Sequence, residues 1–224
     1  MEKIISKIGI NSFWLKIIAV TTMLIDHTGA VLFPRIWTLR LIGRLAFPIF
    51  AFLLVEGFVH TKDIKKYILR IGIFALLSEI PFDRAFHDTW LEFRRGQNIF
   101  FTLGIGLLTL YFISKTKNRF LILLISVAGM LTANFLNTDY GYFGILVILC
   151  FYLQRENRVL VATFNIVLNG VAGAPQEYAS ISSIPILLYN GKRGKYSLKY
   201  FFYIFYPLHL VILWLIHEYG YFFL

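Results

Sequence analysis

Residues 21–33 read TTMLIDHTGAVLF, and this stretch places an aspartate and a histidine inside an apolar run that extends from Phe13 to Phe33. The two polar residues are Asp26 and His27. About 20 apolar residues in a helix cross the roughly 30 Å hydrocarbon core of a bilayer, so the run predicts a membrane span. A charged side chain in such a span costs roughly 2.5–3.5 kcal/mol on insertion scales. An acid beside an imidazole at this position therefore indicates a partner or a function.

The composition of the chain is typical of a polytopic membrane protein. Of its 224 residues, 58% are hydrophobic, 18% are aromatic and 15% are charged, whereas about a quarter of a typical soluble domain is charged. A net charge of +10 would favour nucleic acid as the partner of a soluble protein, but a basic cytoplasmic side explains it here. We therefore expect membrane lipids and no nucleic acid as partners. The histidines lack the spacing of metal ligands, which predicts no metal.

The apolar runs predict an all-α fold of about nine transmembrane helices in a single bundle, with no separate soluble domain in residues 1–224. The predicted spans are 13–33, 40–59, 66–86, 97–114, 119–137, 140–154, 158–174, 178–190 and 200–222. The sixth and the eighth are short, so either could be re-entrant.

The basic residues predict a cytoplasmic N-terminus. With that orientation the inner segments hold Lys3, Lys7, Lys62, Lys65, Lys66, Lys115, Lys117, Arg119, Arg155, Arg158, Lys192, Arg193, Lys195 and Lys199. The outer loops hold the smaller set of Arg35, Arg40, Arg84, Arg94 and Arg95. An excess of Lys and Arg marks the cytoplasmic side, so we expect a multi-pass protein of the bacterial inner membrane with its N-terminus inside.

Polar residues from four predicted spans fall at one depth, in the outer half of the membrane. They are Asp26, His27, Arg44 in GRLAFPIF, Glu79 and Asp83 in SEIPFD, and Gln97 and Asn98. A histidine near a carboxylate suits general-base catalysis, and a guanidinium can hold a phosphate, a carboxylate or a developing oxyanion. His209 in YPLHL is a further candidate. Arg44 could pair with Asp26 or with Glu79, and either ion pair could equally be structural and fix helix packing.

The basic loop NGKRGKYSLK, residues 190–199, has two alternative partners. Its cations could bind anionic lipid at the cytoplasmic surface. Alternatively, Asn190, Lys192 and Arg193 could bind the phosphates of a nucleotide-like donor, using cations and backbone N–H groups. The loop is not a Walker A motif, because GxxxxGK[ST] is absent.

Seven blocks of the sequence form a recognisable series. They are LKIIAVTTMLIDHTGAVLFP, LRLIGRLAFPIFAFLLVEGF, SEIPFD, QNIFFTL, DYGYFG, LLYNGKRG and KYFFYIFYPLHL. In this order they resemble the TraX family across nearly the whole chain. TraX proteins are bacterial inner-membrane proteins whose founding activity is N-terminal acetylation of conjugative pilin. The family is similar to the wider superfamily of integral-membrane acyltransferases.

The resemblance implies an acetyltransferase that uses acetyl-CoA as donor and an amine or hydroxyl as acceptor. Its motifs assign a catalytic histidine to His27, an arginine of the second helix to Arg44 and a late-helix histidine to His209. In the mechanism that we expect, His27 removes a proton from the acceptor, Asp26 or Glu79 orients the imidazole, and Arg44 stabilises the oxyanion or positions the substrate. An acetyl-His intermediate is an alternative. Asp83, Gln97 and Asn98 are then candidates for substrate binding, and the acceptor could be a pilin N-terminus, a glycan or a small molecule.

Two other classes of function fit the same buried residues. The Asp, His, Glu and Arg could relay protons in a small transporter, although such transporters are commonly built from two related halves and no internal repeat is visible here. The polar residues could also lock a non-catalytic membrane scaffold. A His27→Ala substitution separates these classes, because a scaffold would keep its effect on a partner.

Overall fold

A computed structural model describes residues 9–195 and 199–220. Lys3, Lys7, the segment 196–198 of the basic loop and the end of the predicted ninth span at 221–222 lie outside the described residues. The described part of the chain is α-helical, with one 3-10 helix and two isolated β-bridges. This confirms the all-α prediction.

The chain divides into two compact units, residues 1–53 with 154–224 and residues 54–153. The first unit contains α1 (Ser12–Val31), α2 (Trp37–Gly43), the start of α3 (Ala46–His60), α8 (Arg158–Ala172), the 3-10 helix η1 (Gln176–Ser182), α9 (Ser183–Leu187) and α10 (Lys199–Tyr219). The second unit contains the rest of α3, α4 (Ile64–Phe86), α5 (Ile99–Ile113), α6 (Arg119–Phe135) and α7 (Gly141–Leu153).

Short polar side chains fix where several of these helices begin. The residue before the helix accepts hydrogen bonds from backbone N–H groups of the first turn at Asn11, Asp63, Asn98, Asn118 and Asn157. These groups have no partner within the helix, so each cap favours a start at that point. The caps explain why the predicted and observed starts of α1, α4, α5, α6 and α8 agree within about two residues.

Two predicted spans differ from the structure. The second, 40–59, begins earlier, at Trp37, and is interrupted by a turn at residues 44–45. The eighth, 178–190, is not one continuous α-helix, because η1 and the five-residue α9 occupy most of it. The segment is therefore two short helices in series, and the re-entrant alternative for it stays a prediction.

Buried polar contacts to α8 stabilise the irregular segment that replaces the eighth span. The Nδ2 atom of Asn165 lies 2.9 Å from Ser182 Oγ and 2.8 Å from Ser183 Oγ. Asn169 Nδ2 donates to Asn165 Oδ1, and Gln176 Nε2 donates to Asn169 Oδ1. Because these polar groups bond one another, the segment can pack against α8 without forming one regular helix.

In the second unit, α5 packs against α4, α6 and α7. Its buried residues include Leu107 and Leu110, and α7 contributes the buried Ile145 and Ile148. A Cβ on Gly106 would lie 2.5 Å from Ile148 Cδ1, so this glycine allows α5 and α7 to approach closely.

Two segments of the described chain are long and apolar enough to cross a membrane. They are Trp37–His60, with a mean hydropathy of 1.8, and Tyr200–Tyr219, with 1.6. The helices α5, α6, α7 and α8 are apolar but shorter, at 13–17 residues. This agrees with a membrane-associated protein, while the count of nine spans stays a prediction.

Candidate active site

A hydrogen bond between two histidines joins α1 to α10 in the first unit. Nδ1 of His27 lies 2.7 Å from Nε2 of His209. The other ring nitrogen of His209, Nδ1, lies 2.7 Å from the backbone carbonyl of Phe205. A carbonyl only accepts, so Nδ1 of His209 carries the hydrogen, and in the neutral ring Nε2 has the lone pair. His27 therefore donates through Nδ1, and its own Nε2 is the proton-accepting atom.

Aromatic rings hold this histidine pair in place. The ring of Phe205 stacks on His209 at 4.9 Å, and the ring of Tyr206 meets both imidazoles edge-on, at 5.9 Å from His27 and 5.6 Å from His209. His209 is 4% exposed and Tyr206 is 3% exposed, whereas His27 is only half-buried. The buried His209 thus orients the ring of His27, and His27 is the more accessible histidine of the two.

The preceding residue, Asp26, forms an ion cluster with two arginines. Its Oδ2 lies 2.7 Å from Nη1 of Arg40 and 3.0 Å from Nη2 of Arg44. A second bond runs from Arg44 Nη2 to Oδ1 at 3.0 Å. The carboxylate is 9% exposed, while the side chains of Arg40 and Arg44 are 30% and 17% exposed. One carboxylate and two guanidiniums leave the cluster with a formal charge of +1.

Helix geometry explains why adjacent residues serve two clusters. Successive residues on an α-helix point about 100° apart, and α1 packs against α2 on one side and α10 on another. Asp26 therefore meets the arginines of α2, while His27 meets His209 of α10. The predicted pairing of Asp26 with Arg44 is present. For His27 the sequence predicted Asp26 or Glu79 as the orienting group, and the structure supplies His209.

Arg40 is the site residue that sequence reasoning missed, because it was assigned to an outer loop. The structure places it on α2, one turn before Arg44 at the end of the same helix. The spacing RLIGR offered a signal, since residues four apart share a helix face and both arginines could reach one carboxylate.

Gly43 is needed for the close approach of α2 to Asp26. A Cβ built on Gly43 would overlap the Cβ and Oδ1 of Asp26. We expect Gly43→Ala to lower the free energy of unfolding by roughly 3 kcal/mol, because the added methyl group displaces a buried carboxylate from its partners. Gly72→Ala is the matched control, since nothing lies within 4 Å of its Cβ position. Thermal unfolding in detergent compares the two. Equal melting temperatures would contradict this reading of Gly43.

The remaining polar candidates make their hydrogen bonds within the 54–153 unit. Asn98 Nδ2 donates to Oε2 of the buried Glu79 and to the carbonyl of Ala75. Asp83, which is fully buried, accepts from His87 Nδ1 at 3.0 Å and from the backbone N–H of Glu92 at 2.6 Å.

Gln97 lies in the connection between α4 and α5 and bonds to the connection between α6 and α7 of the same unit. Its backbone N–H donates to Asn137 and its carbonyl accepts from Asp139. These bonds show structural partners for Gln97, Asn98, Glu79 and Asp83, and their predicted roles in catalysis and substrate binding stay predictions.

The basic loop is attached to the start of α1. Asn190 donates from its backbone N–H to Ile10 and from Nδ2 to Gly9, and Ser12 donates to the carbonyls of Lys192 and Arg193. Gly191 and Gly194 have φ values of +75° and +87°, a region that favours glycine. Lys192 and Arg193 are exposed. The loop backbone is thus held by α1, while its cationic side chains point outward.

Comparison with known proteins identifies the family. Residues 12–217 match the family described as TraX protein. The chain belongs to the TraX family. The resemblance predicted from the seven blocks is therefore confirmed, and the match includes both histidines and both arginines of the candidate site.

Two relatives extend this comparison. A probable fimbrial assembly protein, FimC of serogroup H1 from Dichelobacter nodosus, is 30% identical over 92% of this chain and 95% of its own length. The uncharacterized protein RP591 from Rickettsia prowazekii (strain Madrid E) is 30% identical over 47% of this chain and 39% of its own length. No solved structure matches the chain.

Proposed function

We propose that this TraX-family protein is an integral-membrane acetyltransferase that moves an acetyl group from acetyl-CoA to an amine or hydroxyl of an envelope acceptor. The observation that carries the proposal is the hydrogen-bond chain from Phe205 through His209 to His27, which makes Nε2 of His27 a fixed proton acceptor. A pilin-like N-terminus is the favoured acceptor, because the relative from Dichelobacter nodosus carries the name of a fimbrial assembly protein.

The proposed reaction is a direct acyl transfer. The acceptor nitrogen or oxygen forms a bond to the thioester carbonyl carbon, and the carbon–sulfur bond to coenzyme A breaks. Nε2 of His27 takes the proton that the acceptor loses and returns it to the leaving thiolate, so the products are the acetylated acceptor and free coenzyme A. His209 keeps the imidazole in the required tautomer through Nδ1, as a positioning residue.

The arginine cluster supplies charge stabilisation. The thioester oxygen becomes negative in the tetrahedral intermediate, and a fixed positive group near it lowers that barrier. Asp26 holds Arg40 and Arg44 in place, and these three residues together have a formal charge of +1 next to His27 in the sequence. The 30% exposure of the Arg40 side chain makes it the more accessible guanidinium for a substrate oxygen.

The basic loop would bind the donor. Lys192 and Arg193 are exposed cations on a backbone that is fixed to Ser12, which suits the phosphates of coenzyme A. His27 lies fifteen residues further along α1 than Ser12, a rise of about 22 Å. An extended pantetheine arm has a comparable length, so a donor bound at the loop could present its thioester to His27.

Exposed apolar side chains support a multi-pass topology, and the excess of basic residues in the predicted inner segments favours an N-terminus inside. Many large hydrophobic residues of α4 and α6 are exposed, including Leu76 at 70%, Leu123 at 58% and Phe135 at 88%. Surfaces of this kind are rare on soluble monomers and suit contact with lipid. The shorter apolar helices can span by local thinning of the bilayer.

A double-label experiment tests the proposal. Membranes that contain the protein receive acetyl-CoA labelled either in the acetyl group or in the coenzyme A moiety. We expect acetyl label, but not coenzyme A label, to move covalently into a membrane peptide, glycan or lipid. Lys192→Ala with Arg193→Ala should raise KM for acetyl-CoA with little change in kcat. Absence of covalent acetyl label in membranes that hold folded protein would reject the activity.

A further inference from the structure

We propose that residues 88–97, here called the interface loop, insert into the headgroup region of the lipid bilayer. Trp90, Leu91 and Phe93 would enter the upper part of the acyl chains, and Arg94 and Arg95 would bind lipid phosphates. This anchoring goes beyond the proposed acetyl transfer and does not depend on it.

Hydrogen bonds on the inner side of the loop fix its conformation. The backbone N–H of Glu92 donates to Oδ2 of Asp83 at 2.6 Å. The carbonyl of Arg94 accepts from Asn137 Nδ2 at 2.8 Å, and the N–H of Gln97 donates to the carbonyl of Asn137 at 2.9 Å. Since Asp83 is fully buried, the loop is held at its middle as well as at its end, and its outward side chains keep a defined arrangement.

Between Trp90 and Arg95 the exposed side chains of the loop are apolar or cationic. Trp90, Leu91 and Phe93 are 65%, 55% and 62% exposed, and Arg94 and Arg95 are exposed beside them. Three large apolar side chains in four residues would be costly in water. Tryptophan with arginine is the composition found where a membrane protein meets the polar region of a bilayer.

The loop continues an apolar face of α4, which favours lipid as the partner. Exposed hydrophobic residues recur along this helix with helical spacing, at Leu69, Ile73, Leu76, Leu77 and Ile80. Residues at this spacing share one face. The guanidinium of Arg84, at the end of α4, lies 4.9 Å from the ring centre of Trp90. Hydrocarbon would cover the helix face, and headgroup phosphates would then lie level with Arg94 and Arg95.

Fluorescence quenching of Trp90 tests the placement. The full chain is reconstituted in nanodiscs whose phosphatidylcholine carries bromine either near the glycerol end or near the terminal methyl of the acyl chain. The difference between the native protein and Trp90→Phe isolates the Trp90 emission from that of the other tryptophans. We expect the shallow bromines to quench it and the deep bromines to have little effect. Quenching of Trp90 by acrylamide but not by bromine would place the loop in water and overturn the proposal. Protection of Trp90 from both quenchers would mean that a protein partner covers the loop, and this result would overturn the proposal as well.

A pair of double variants tests the phosphate contact. Arg94→Ala with Arg95→Ala should reduce the shallow-bromine quenching of Trp90 by roughly half, because the loop loses its charge-assisted hydrogen bonds to lipid phosphates. Lys65→Ala with Lys66→Ala, at the opposite end of α4, also removes two exposed cations and should leave Trp90 quenching unchanged. Equal effects of both pairs, with both proteins folded, would overturn the role of the two arginines.

Discussion

Replacement of His27 by alanine is expected to lower the rate of acetyl transfer by roughly 10²–10⁴-fold, the usual contribution of a positioned general base. His60→Ala is the matched control, because His60 lies at the end of α3 with its side chain 70% exposed. The measurement is the initial rate of label transfer at saturating acetyl-CoA. A rate in His27→Ala that equals the rate in His60→Ala would reject the catalytic role of His27 while leaving the family assignment intact.

The same assay separates the positioning role of His209 from a packing role. His209→Gln places an amide oxygen near the position of Nε2 and can still accept from His27, whereas His209→Leu cannot. We expect the leucine variant to lose roughly 100-fold in rate, because His27 then lacks the hydrogen bond that orients its ring, and the glutamine variant to lose far less. Equal losses in both variants would show that His209 serves packing only.

The sequence was informative where a polar residue interrupts an apolar run. Asp26, His27, Arg44 and His209 could each be identified because a charge or an imidazole in such a run is costly and needs a partner. The identity of the partner was not predictable. His27 and His209 are 182 positions apart, and their contact depends on how α1 packs against α10, which no local pattern encodes.

The end of a predicted span was less informative than its middle. Arg40 was assigned to a loop because the second span was started at that residue, and a charge at a boundary carries no penalty that would reveal it. In the structure, helix α2 begins three residues earlier and brings Arg40 onto the face that meets Asp26. Gly43, which permits this approach, gave no separate signal from sequence alone.

The eighth predicted span is not one continuous helix, for a different physical reason. Apolar residues at Ile181, Ile184 and Ile186 gave the segment a membrane-like composition, but Ser182 and Ser183 are buried against Asn165 of α8. A side chain distant in sequence satisfies these hydroxyls, so the segment adopts a 3-10 helix and a short α-helix. Hydropathy alone measures composition and cannot detect such a partner.

Asp26→Asn is expected to cause a large loss of stability at the site. The change leaves two guanidiniums in the cluster without a carboxylate, and unpairing a buried charge costs roughly 3–5 kcal/mol. We expect about 3 kcal/mol, the lower end of this range, because the Arg40 side chain is 30% exposed and water can solvate it. Asp88→Asn is the matched control, since its side chain is 87% exposed and a surface pair contributes at most about 1 kcal/mol. Thermal unfolding in detergent measures both.

A second substitution shows whether the loss arises from charge. Adding Arg40→Gln to Asp26→Asn removes one of the two uncompensated guanidiniums, so the double variant should be more stable than Asp26→Asn alone. Arg40→Gln by itself should be destabilising, because Asp26 loses its 2.7 Å partner. Such opposite effects of one substitution in two backgrounds identify a direct interaction. Purely additive losses of stability would instead mean that Asp26 stabilises the protein through packing. The attraction between its carboxylate and the two guanidiniums would then contribute nothing measurable to stability.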